Sequence, residues 1–139
     1  MIIYFDENMP PHLVNGFETI QQPEGIKNGQ KITVKFLPKV FGYGSDDKDW
    51  IPLVGKEGSC VITQDIKISR RKDELALYKK NGVGMFFLRG PSKKKGLTVW
   101  QMVQALAKNW DDICKIASKE KKPFGYTFGL HGKIKRLQI

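Results

Sequence analysis

Three short runs of bulky apolar residues recur along the chain, and each predicts a buried strand. The runs cover residues 2–5, 60–63 and 83–88. Continuous apolar runs rich in β-branched and aromatic residues are typical of strands that are buried on both faces, as in parallel sheets covered by helices. Residues 31–37 instead alternate apolar and polar positions. That alternation predicts a half-exposed strand at or near an edge of the sheet.

Helical patterns lie between these strands. Apolar residues recur at helical spacing over residues 9–20, with Asn8 as a candidate N-cap, and along a long helix that Thr98 caps. Shorter helices are predicted after the acids at 46–49 and up to Lys80. Turn-forming residues predict a loop over 21–30. Strands that alternate with helices predict an α/β sandwich formed by a single domain over residues 1–139.

The C-terminal part predicts a β-hairpin. Residues 124–128 and 133–137 both alternate large and small or charged positions, and glycines at 129 and 132 flank the connection. We expect this hairpin to close the fold, with the possibility that it lies apart from the main sheet.

Several functional classes are excluded by motifs that the sequence lacks. There is no GxxxxGK[ST] or GxGxxG phosphate loop, no GxSxG elbow, and no Cys/His cluster with zinc spacing. The two cysteines, Cys60 and Cys114, fall on a predicted strand and a predicted helix, which favours reduced core thiols over a disulfide. No apolar run approaches the ~20 residues of a membrane span, and no secretory signal pattern is present, so we expect a cytoplasmic protein with no membrane partner.

Charge is distributed very unevenly between the two halves. Residues 1–65 contain 6 Lys/Arg and 9 Asp/Glu, whereas residues 66–139 contain 18 and 5, within a total net charge of +10. A basic surface of this kind attracts a polyanion such as RNA, although scattered lysines also serve simply to keep a protein in solution. The predicted RNA-binding residues are Arg70, Arg71 and Lys72 and the loop residues Lys93, Lys94 and Lys95.

Carboxylates follow two of the buried strands directly. Asp6 ends the first run, with Glu7 after it, and Asp65 closes the second. Ligands of parallel sheets bind beyond the carboxyl ends of the strands, and neighbouring strands lie about 5 Å apart. Carboxylates that close repel one another unless a cation joins them, and Mg²⁺ or Mn²⁺ prefers such oxygen ligands. A bound ion can activate water for attack on a phosphodiester.

Further acids are candidates for the same site. Asp47, Asp49 and Glu74 stand at predicted helix starts. Asp46 and Asp47 can equally serve as helix caps, so the third acid of the site stays open among Asp46, Asp47 and Asp49.

An ordered set of sequence blocks resembles a known family. The opening IIYFDENMPPHL (2–13) is similar to the start of small PIN-like domains, and the blocks DKDWIP (47–52), VITQD (61–65) and RKDEL (71–75) resemble their VapC-type toxin branch. The C-terminal blocks KPFGY (122–126) and GKI (132–134) resemble it too. The resemblance implies a three-layer α/β/α PIN-like fold with a central, mainly parallel sheet and a C-terminal β-hairpin. It also implies an Mg²⁺- or Mn²⁺-dependent endoribonuclease that acts as the toxin of a toxin–antitoxin pair.

The same resemblance assigns roles to individual acids. It implies Asp6 and Asp65 as central metal ligands, Asp47 or Asp49 as the helix-start acid and Glu74 as the acid that follows. The catalytic set is therefore Asp6, Asp47, Asp65 and Glu74. The candidate metal ligands are Asp6, Asp65, Asp47 and Asp49.

Two other functions remain as alternatives. A non-catalytic RNA-binding module on the same fold would bind RNA without a metal. A receiver-like phosphoacceptor domain also uses strand-end acids, but normally needs a lysine where this chain has Arg89. Expected partners are RNA, a cognate antitoxin and a second copy of the chain, paired through the edge at 31–37 or the terminal hairpin. Phe41 and Tyr43 either stack an RNA base or pack their loop.

Overall fold

A six-stranded sheet organises the protein. The computed structural model describes residues 1–27, 31–92 and 95–139. Its strands are β1 (Ile2–Phe5), β2 (Thr33–Phe36), β3 (Cys60–Thr63), β4 (Gly84–Leu88), β5 (Phe124–Phe128) and β6 (Lys135–Leu137). They lie in the order β2-β1-β3-β4-β5-β6, and every neighbouring pair is parallel except the antiparallel β5 and β6. The predicted edge strand is confirmed, since β2 lies at one end of the sheet.

Helices cover both faces of this sheet. They are α1 (Pro11–Lys27), α2 (Leu37–Phe41), α3 (Asp47–Lys56), α4 (Lys72–Lys80) and α5 (Val99–Lys119), with a 3₁₀ helix at Ile66–Arg70. Residues of α1 and α5 pack in one core, and residues of α3 and α4 in a second core on the opposite face. The three-layer α/β/α architecture is therefore confirmed.

Successive strand residues supply the two cores in turn. Ile3 and Phe5 face the core beneath α1 and α5, while Tyr4 faces the core beneath α3 and α4. Because both faces of the central strands are buried, apolar residues dominate them, which produces the continuous apolar runs. The one polar residue within β1, β3 and β4 is Thr63, at the end of β3.

The first helix is longer than its sequence pattern suggests. The loop predicted over 21–30 is wrong for residues 21–27, which continue α1, whereas residues 28–30 lie outside the described part of the chain. Gln21 is buried, and its Oε1 accepts a hydrogen bond of 2.9 Å from Trp110 Nε1 on α5. This contact anchors α1 beyond residue 20, so packing against α5 outweighs the local turn signals.

The C-terminal hairpin belongs to the main sheet, so the possibility that it lies apart is wrong. β5 pairs with β4 along its whole length, from Gly84 opposite Phe124 to Leu88 opposite Phe128. The Phe124 ring covers Gly84 so closely that a Cβ there would lie 2.4 Å from it. The aromatic residues that alternate along β5 are buried, and this burial docks the hairpin.

Both cysteines are free, buried thiols, as the sequence predicts. Burial raises the pKa of Cys60 to about 11 and that of Cys114 to about 12. Because the thiolate is the reactive form, we expect no rapid labelling of the native protein by a disulfide reagent at pH 8. Counting released chromophore before and after unfolding in guanidinium checks this, and fast labelling of the native chain would contradict the buried positions.

Among the described helices, none has the length and apolar character that a membrane crossing requires.

Candidate active site

A buried threonine connects the two strand-end aspartates. Asp6 follows β1, and its backbone N–H donates to the carbonyl of Ile62 on β3 at 2.9 Å. The Thr63 hydroxyl donates to Asp6 Oδ2 at 2.9 Å and accepts from the Asp65 N–H at 3.0 Å. Thr63 is fully buried. Because one immobile hydroxyl contacts both residues, Asp6 and Asp65 are held in a fixed relation at the carboxyl edge of the sheet.

Asn8 stabilises the same edge through hydrogen bonds to Thr63 and Gln64. Its Nδ2 donates to Thr63 Oγ1 at 3.1 Å, and its Oδ1 accepts from the Gln64 N–H at 3.3 Å. The Gln64 side chain returns a bond of 2.9 Å to the Asn8 carbonyl. The Asn8 side chain, predicted to cap the first helix, is thus committed to β3, while α1 begins only at Pro11.

Helix starts bring two further acids to this edge. Asp46 caps α3, since its Oδ1 accepts from the Lys48 N–H at 3.1 Å. Asp47 is half-buried, and its Oδ1 accepts from Trp50 Nε1 at 3.2 Å. Asp47 and Glu74 both line a cavity of about 390 Å³ between the first turns of α3 and α4. Asp49 is exposed, and its described bond to another of these acids is made by its backbone N–H, which donates to the Asp46 carbonyl at 2.9 Å.

An arginine lies between two of the acids. The Arg71 Nη1 group donates to Asp65 Oδ2 at 3.2 Å and to Glu74 Oε2 at 3.1 Å. The other oxygen of Asp65 accepts from the Lys67 N–H at 3.1 Å and thereby caps the 3₁₀ helix. The pKa of Arg71 is raised, first by its hydrogen bond to Glu74 and then by the charge of Asp65. Arg71, a predicted RNA contact, therefore serves here as a counter-ion within the site.

Asp6, Asp47 and Glu74 have pKa values above those of isolated carboxyls. Burial raises the pKa of Asp6, and the charges of Glu7 and Asp65 raise it further, against the hydrogen bonds from Thr63 and the Glu7 N–H. Burial likewise raises the pKa of Asp47, against the hydrogen bond from Trp50, and the charges of Asp46 and Glu7 raise it further. Burial is the main cause of both shifts, and neighbouring carboxylates add to it.

Glu74 behaves in the same way despite its ion pair. Burial raises its pKa, the Arg71 hydrogen bond lowers it, and the charges of Asp47 and Asp65 raise it again. A single guanidinium therefore leaves the site with an excess of negative charge.

A buried tyrosine lies behind the acids on α4. Tyr78 is 2% exposed and lies one turn after Glu74. Its pKa is raised well above the ordinary value, first by burial and then by the charges of Asp6, Asp47, Glu74 and Asp65. The phenol therefore stays protonated and neutral beside the acidic edge.

The 42–45 loop is connected to the same edge through Glu7. Glu7 Oε2 accepts from the Gly44 N–H at 3.2 Å. Phe41 packs against Tyr4 and Trp50, so its packing role is the one observed. Tyr43 is 70% exposed, and its ring makes an edge contact with Phe36.

A comparison with protein families identifies the fold. The profile of the PIN-like domain family matches residues 1–90. The chain belongs to the PIN-like domain family. A search of curated proteins and a search of solved structures each gave no match. The PIN-like fold is of a nuclease type, and its members are often nucleases and typically depend on metal ions. The matched range contains Asp6, Asp47, Asp65 and Glu74.

The donor chemistry of the PIN-like site fits a hard divalent cation. Its side chains offer carboxylate oxygens, and each ionised carboxylate keeps lone pairs beyond those used in its present hydrogen bonds. No group of three or more His, Cys, Asp or Glu side chains in the described ranges is already arranged as a metal site. Arg71 already pairs with Asp65 and Glu74, so an ion at Asp65 would compete with the guanidinium charge for the same carboxylates.

The structure describes four of the six predicted RNA-binding residues, Arg71 among them. Arg70, Lys72 and Lys95 are exposed, while Lys93 and Lys94 lie outside the described residues.

Thr63 and Tyr78 were not predicted as site residues. The signals that point to them are the Thr-x-Asp spacing and the four-residue interval from Glu74 to Tyr78, which places both on one helix face.

Proposed function

We propose that this PIN-like protein is an endoribonuclease that depends on Mg²⁺ or Mn²⁺ and hydrolyses phosphodiester bonds of RNA. The observation that supports this most strongly is the linkage of Asp6, Asp65 and Glu74 through the hydrogen bonds of Thr63 and Arg71, with Asp47 beside Glu74 in one cavity. The four acids come from separate elements at the carboxyl edge of a parallel sheet, where such sheets bind ligands. Acids with raised pKa values in a cleft are typical of functional sites.

Each residue has a distinct task in this proposal. Asp6 and Asp65 hold the ion, and the bond network through Thr63 keeps their separation constant. A bound ion supplies a polarised phosphoryl oxygen and an acidic water. Glu74 and Asp47 have raised pKa values, which suits a carboxylate that takes up a proton during attack on the phosphodiester.

The biological role we propose is that of a VapC-type toxin controlled by an antitoxin. Arg71 supports this indirectly, because its position between Asp65 and Glu74 shows that the site accommodates a guanidinium. An antitoxin that presents a cationic side chain to the same acids would compete with the metal ion. The edge strand β2 also offers unpaired backbone groups to a second copy of the chain.

Cleavage of total RNA by the purified protein tests the central proposal. We expect cleavage with Mg²⁺ and with Mn²⁺, none with EDTA, and recovery when the metal is restored in excess. Gel analysis of the RNA over time provides the readout. Intact RNA under all conditions would contradict the ribonuclease proposal, and cleavage that persists in EDTA would contradict its metal dependence.

A non-catalytic RNA-binding module is the second candidate. It is favoured by the two bonds from Arg71, which neutralise acids of the site without any metal ion. This alternative predicts that RNA binds equally well in EDTA and that no cleavage follows in any metal.

A further inference from the structure

A cleft opens at the carboxyl ends of β4 and β5, beside the acidic site. It consists of two adjoining cavities of about 260 and 340 Å³, which share Arg89, Pro91 and Leu97 in their walls. The smaller cavity reaches Gln64, the neighbour of Asp65. The larger extends to the connection between β5 and β6. We call this surface the basic cleft and define it by Arg89, Leu97, Thr127, His131, Lys133 and Lys135.

The walls of the basic cleft are held by a dedicated set of contacts. Asn109 on α5 is buried, and its Nδ2 donates to the Gly129 carbonyl at 3.2 Å. Lys108 Nζ donates to the carbonyls of Leu130 and Gly132 at 3.2 and 3.1 Å. These hydrogen bonds attach the 129–132 connection to α5, so this wall of the cleft is formed in the absence of a ligand.

The close approach of the two strand ends also shapes this cleft. The Arg89 N–H donates to the Phe128 carbonyl at 2.9 Å, which extends the β4–β5 pairing by one residue. A Cβ at Gly129 would lie 2.9 Å from the Arg89 carbonyl oxygen, so only glycine fits there without a shift. The Arg89 side chain is thus placed at a rigid point of the sheet edge.

The charge of the basic cleft is of one sign. Arg89, Lys133 and Lys135 are exposed, and none of them takes part in an ion pair within the described ranges. The residues that line its two cavities include no Asp or Glu. The carboxyl edge of the sheet is acidic at the ends of β1 and β3 and basic at the ends of β4 and β5. Two strand spacings, about 10 Å, separate β3 from β5.

The size and the lining indicate which polyanion fits. Cavities of about 260 and 340 Å³ are too small for a duplex and adequate for parts of a single strand. The half-buried Leu97 adds apolar surface to the cationic wall, and a positively charged groove that follows the backbone is the feature by which proteins bind single strands without sequence preference.

We propose that the basic cleft binds the phosphate backbone of single-stranded RNA and directs the same strand past Gln64 towards the acids. This rests on the proposed ribonuclease function and adds the path of its substrate. The cations contact phosphates as positioning groups and carry no base specificity. RNA is favoured over an acidic protein segment because the cleft reaches Gln64 and Ile66, the two neighbours of Asp65, beside which the scissile phosphate would lie.

A binding assay in EDTA tests the cleft separately from catalysis. Arg89→Gln combined with Lys133→Gln removes two cleft charges, whereas Lys79→Gln with Lys80→Gln removes two exposed charges at the far end of α4. Fluorescence anisotropy with a labelled single-stranded RNA oligonucleotide measures the affinity across salt concentrations. We expect the cleft pair to bind about tenfold or more weakly, with a salt slope lower by about 1.4, and the control pair to remain within about twofold of the wild type. Equal thermal unfolding midpoints confirm that both pairs are folded.

The outcomes separate this inference from the proposed activity. Equal losses in the two pairs, or no RNA binding by the wild type, would overturn the cleft as an RNA path, while the Mg²⁺-dependent cleavage assay decides the ribonuclease independently. Cleft-dependent binding without any cleavage would support the cleft and reject the catalytic role. Loss of poly-L-glutamate binding in the cleft pair, with RNA affinity unchanged, would assign the cleft to an acidic protein segment instead and overturn the proposal.

Discussion

Replacement of Asp6 by Asn is expected to lower RNA cleavage about a thousandfold, because a metal ligand contributes several kcal/mol to transition-state stabilisation. Asp6 is half-buried at the end of β1, where Thr63 and the Glu7 N–H orient both of its oxygens. An amide has nearly the same shape but binds a hard divalent cation far more weakly than a carboxylate does. We expect Asp65→Asn to reduce cleavage comparably.

The same Asp6→Asn substitution is expected to leave the unfolding temperature equal to or above that of the wild type. The pKa of Asp6 is raised in the folded protein, so its ionised form is less favourable there than in the unfolded chain. Between the ordinary carboxyl pKa and the raised one, the folded state binds more protons, and stability therefore falls as the pH rises through that window. Removing the charge removes this penalty at neutral pH, and the two donors keep acceptors, since the amide oxygen accepts from the Glu7 N–H and the Thr63 hydroxyl turns to Asn8 Oδ1, 3.4 Å away.

Asp46→Asn provides the matched control for this experiment. It removes the same charge from a neighbouring acid, and asparagine caps a helix as well as aspartate does, so α3 is preserved. We expect cleavage to stay within about threefold of the wild type, because Asp46 is committed to capping. Cleavage assays and thermal unfolding at several pH values compare both variants. Unchanged cleavage by Asp6→Asn would exclude Asp6 from the mechanism, and a clear loss of stability would show that its charge supports the fold.

The acids that sequence alone identifies are those whose position depends on local pattern. Asp6 follows β1 directly and Asp65 follows β3 after one residue, so the end of each apolar run locates them and the parallel topology brings them to one edge. Asp46 and Asp47 are harder to separate, since adjacent acids at a helix start are equivalent until the helix orientation is known. The Trp50 contact distinguishes Asp47, and that contact depends on the packing of α3 against the sheet.

Features that depend on distant packing escape the sequence pattern. The continuation of α1 depends on a bond from Trp110, which is 89 residues away in the chain. The docking of β5 depends on a ring that fills the space above Gly84. The position of Arg71 depends on the 3₁₀ helix that turns the chain back towards Asp65. Composition identifies Arg71 as a basic surface residue, but only the fold shows that it faces two acids.

Arg71→Gln is expected to make the protein bind Mn²⁺ more tightly, roughly fivefold or more, because it removes a cation that competes for the same carboxylates. The guanidinium lies 3.2 Å from Asp65 and 3.1 Å from Glu74, and both acids otherwise lack a cationic partner among the described ion pairs. Without metal, the variant should be less stable than the wild type, because the hydrogen bond that lowers the pKa of Glu74 is lost while the charges that raise it remain. With metal, the difference should shrink or reverse, since an ion that binds only the folded state stabilises it.

Thermal unfolding at increasing Mn²⁺ concentrations measures the competition between Arg71 and Mn²⁺ for these carboxylates, and it does so independently of catalysis. Arg70→Gln is the matched control, because Arg70 is the exposed neighbouring arginine and is absent from the described ion pairs. We expect the Mn²⁺ concentration needed for half of the stabilisation to fall in Arg71→Gln and to stay unchanged in Arg70→Gln. Equal Mn²⁺ responses in both variants, with RNA affinity lost only in Arg71→Gln, would instead identify Arg71 as a phosphate contact. In that case its bonds to Asp65 and Glu74 would serve to hold the guanidinium ready for RNA.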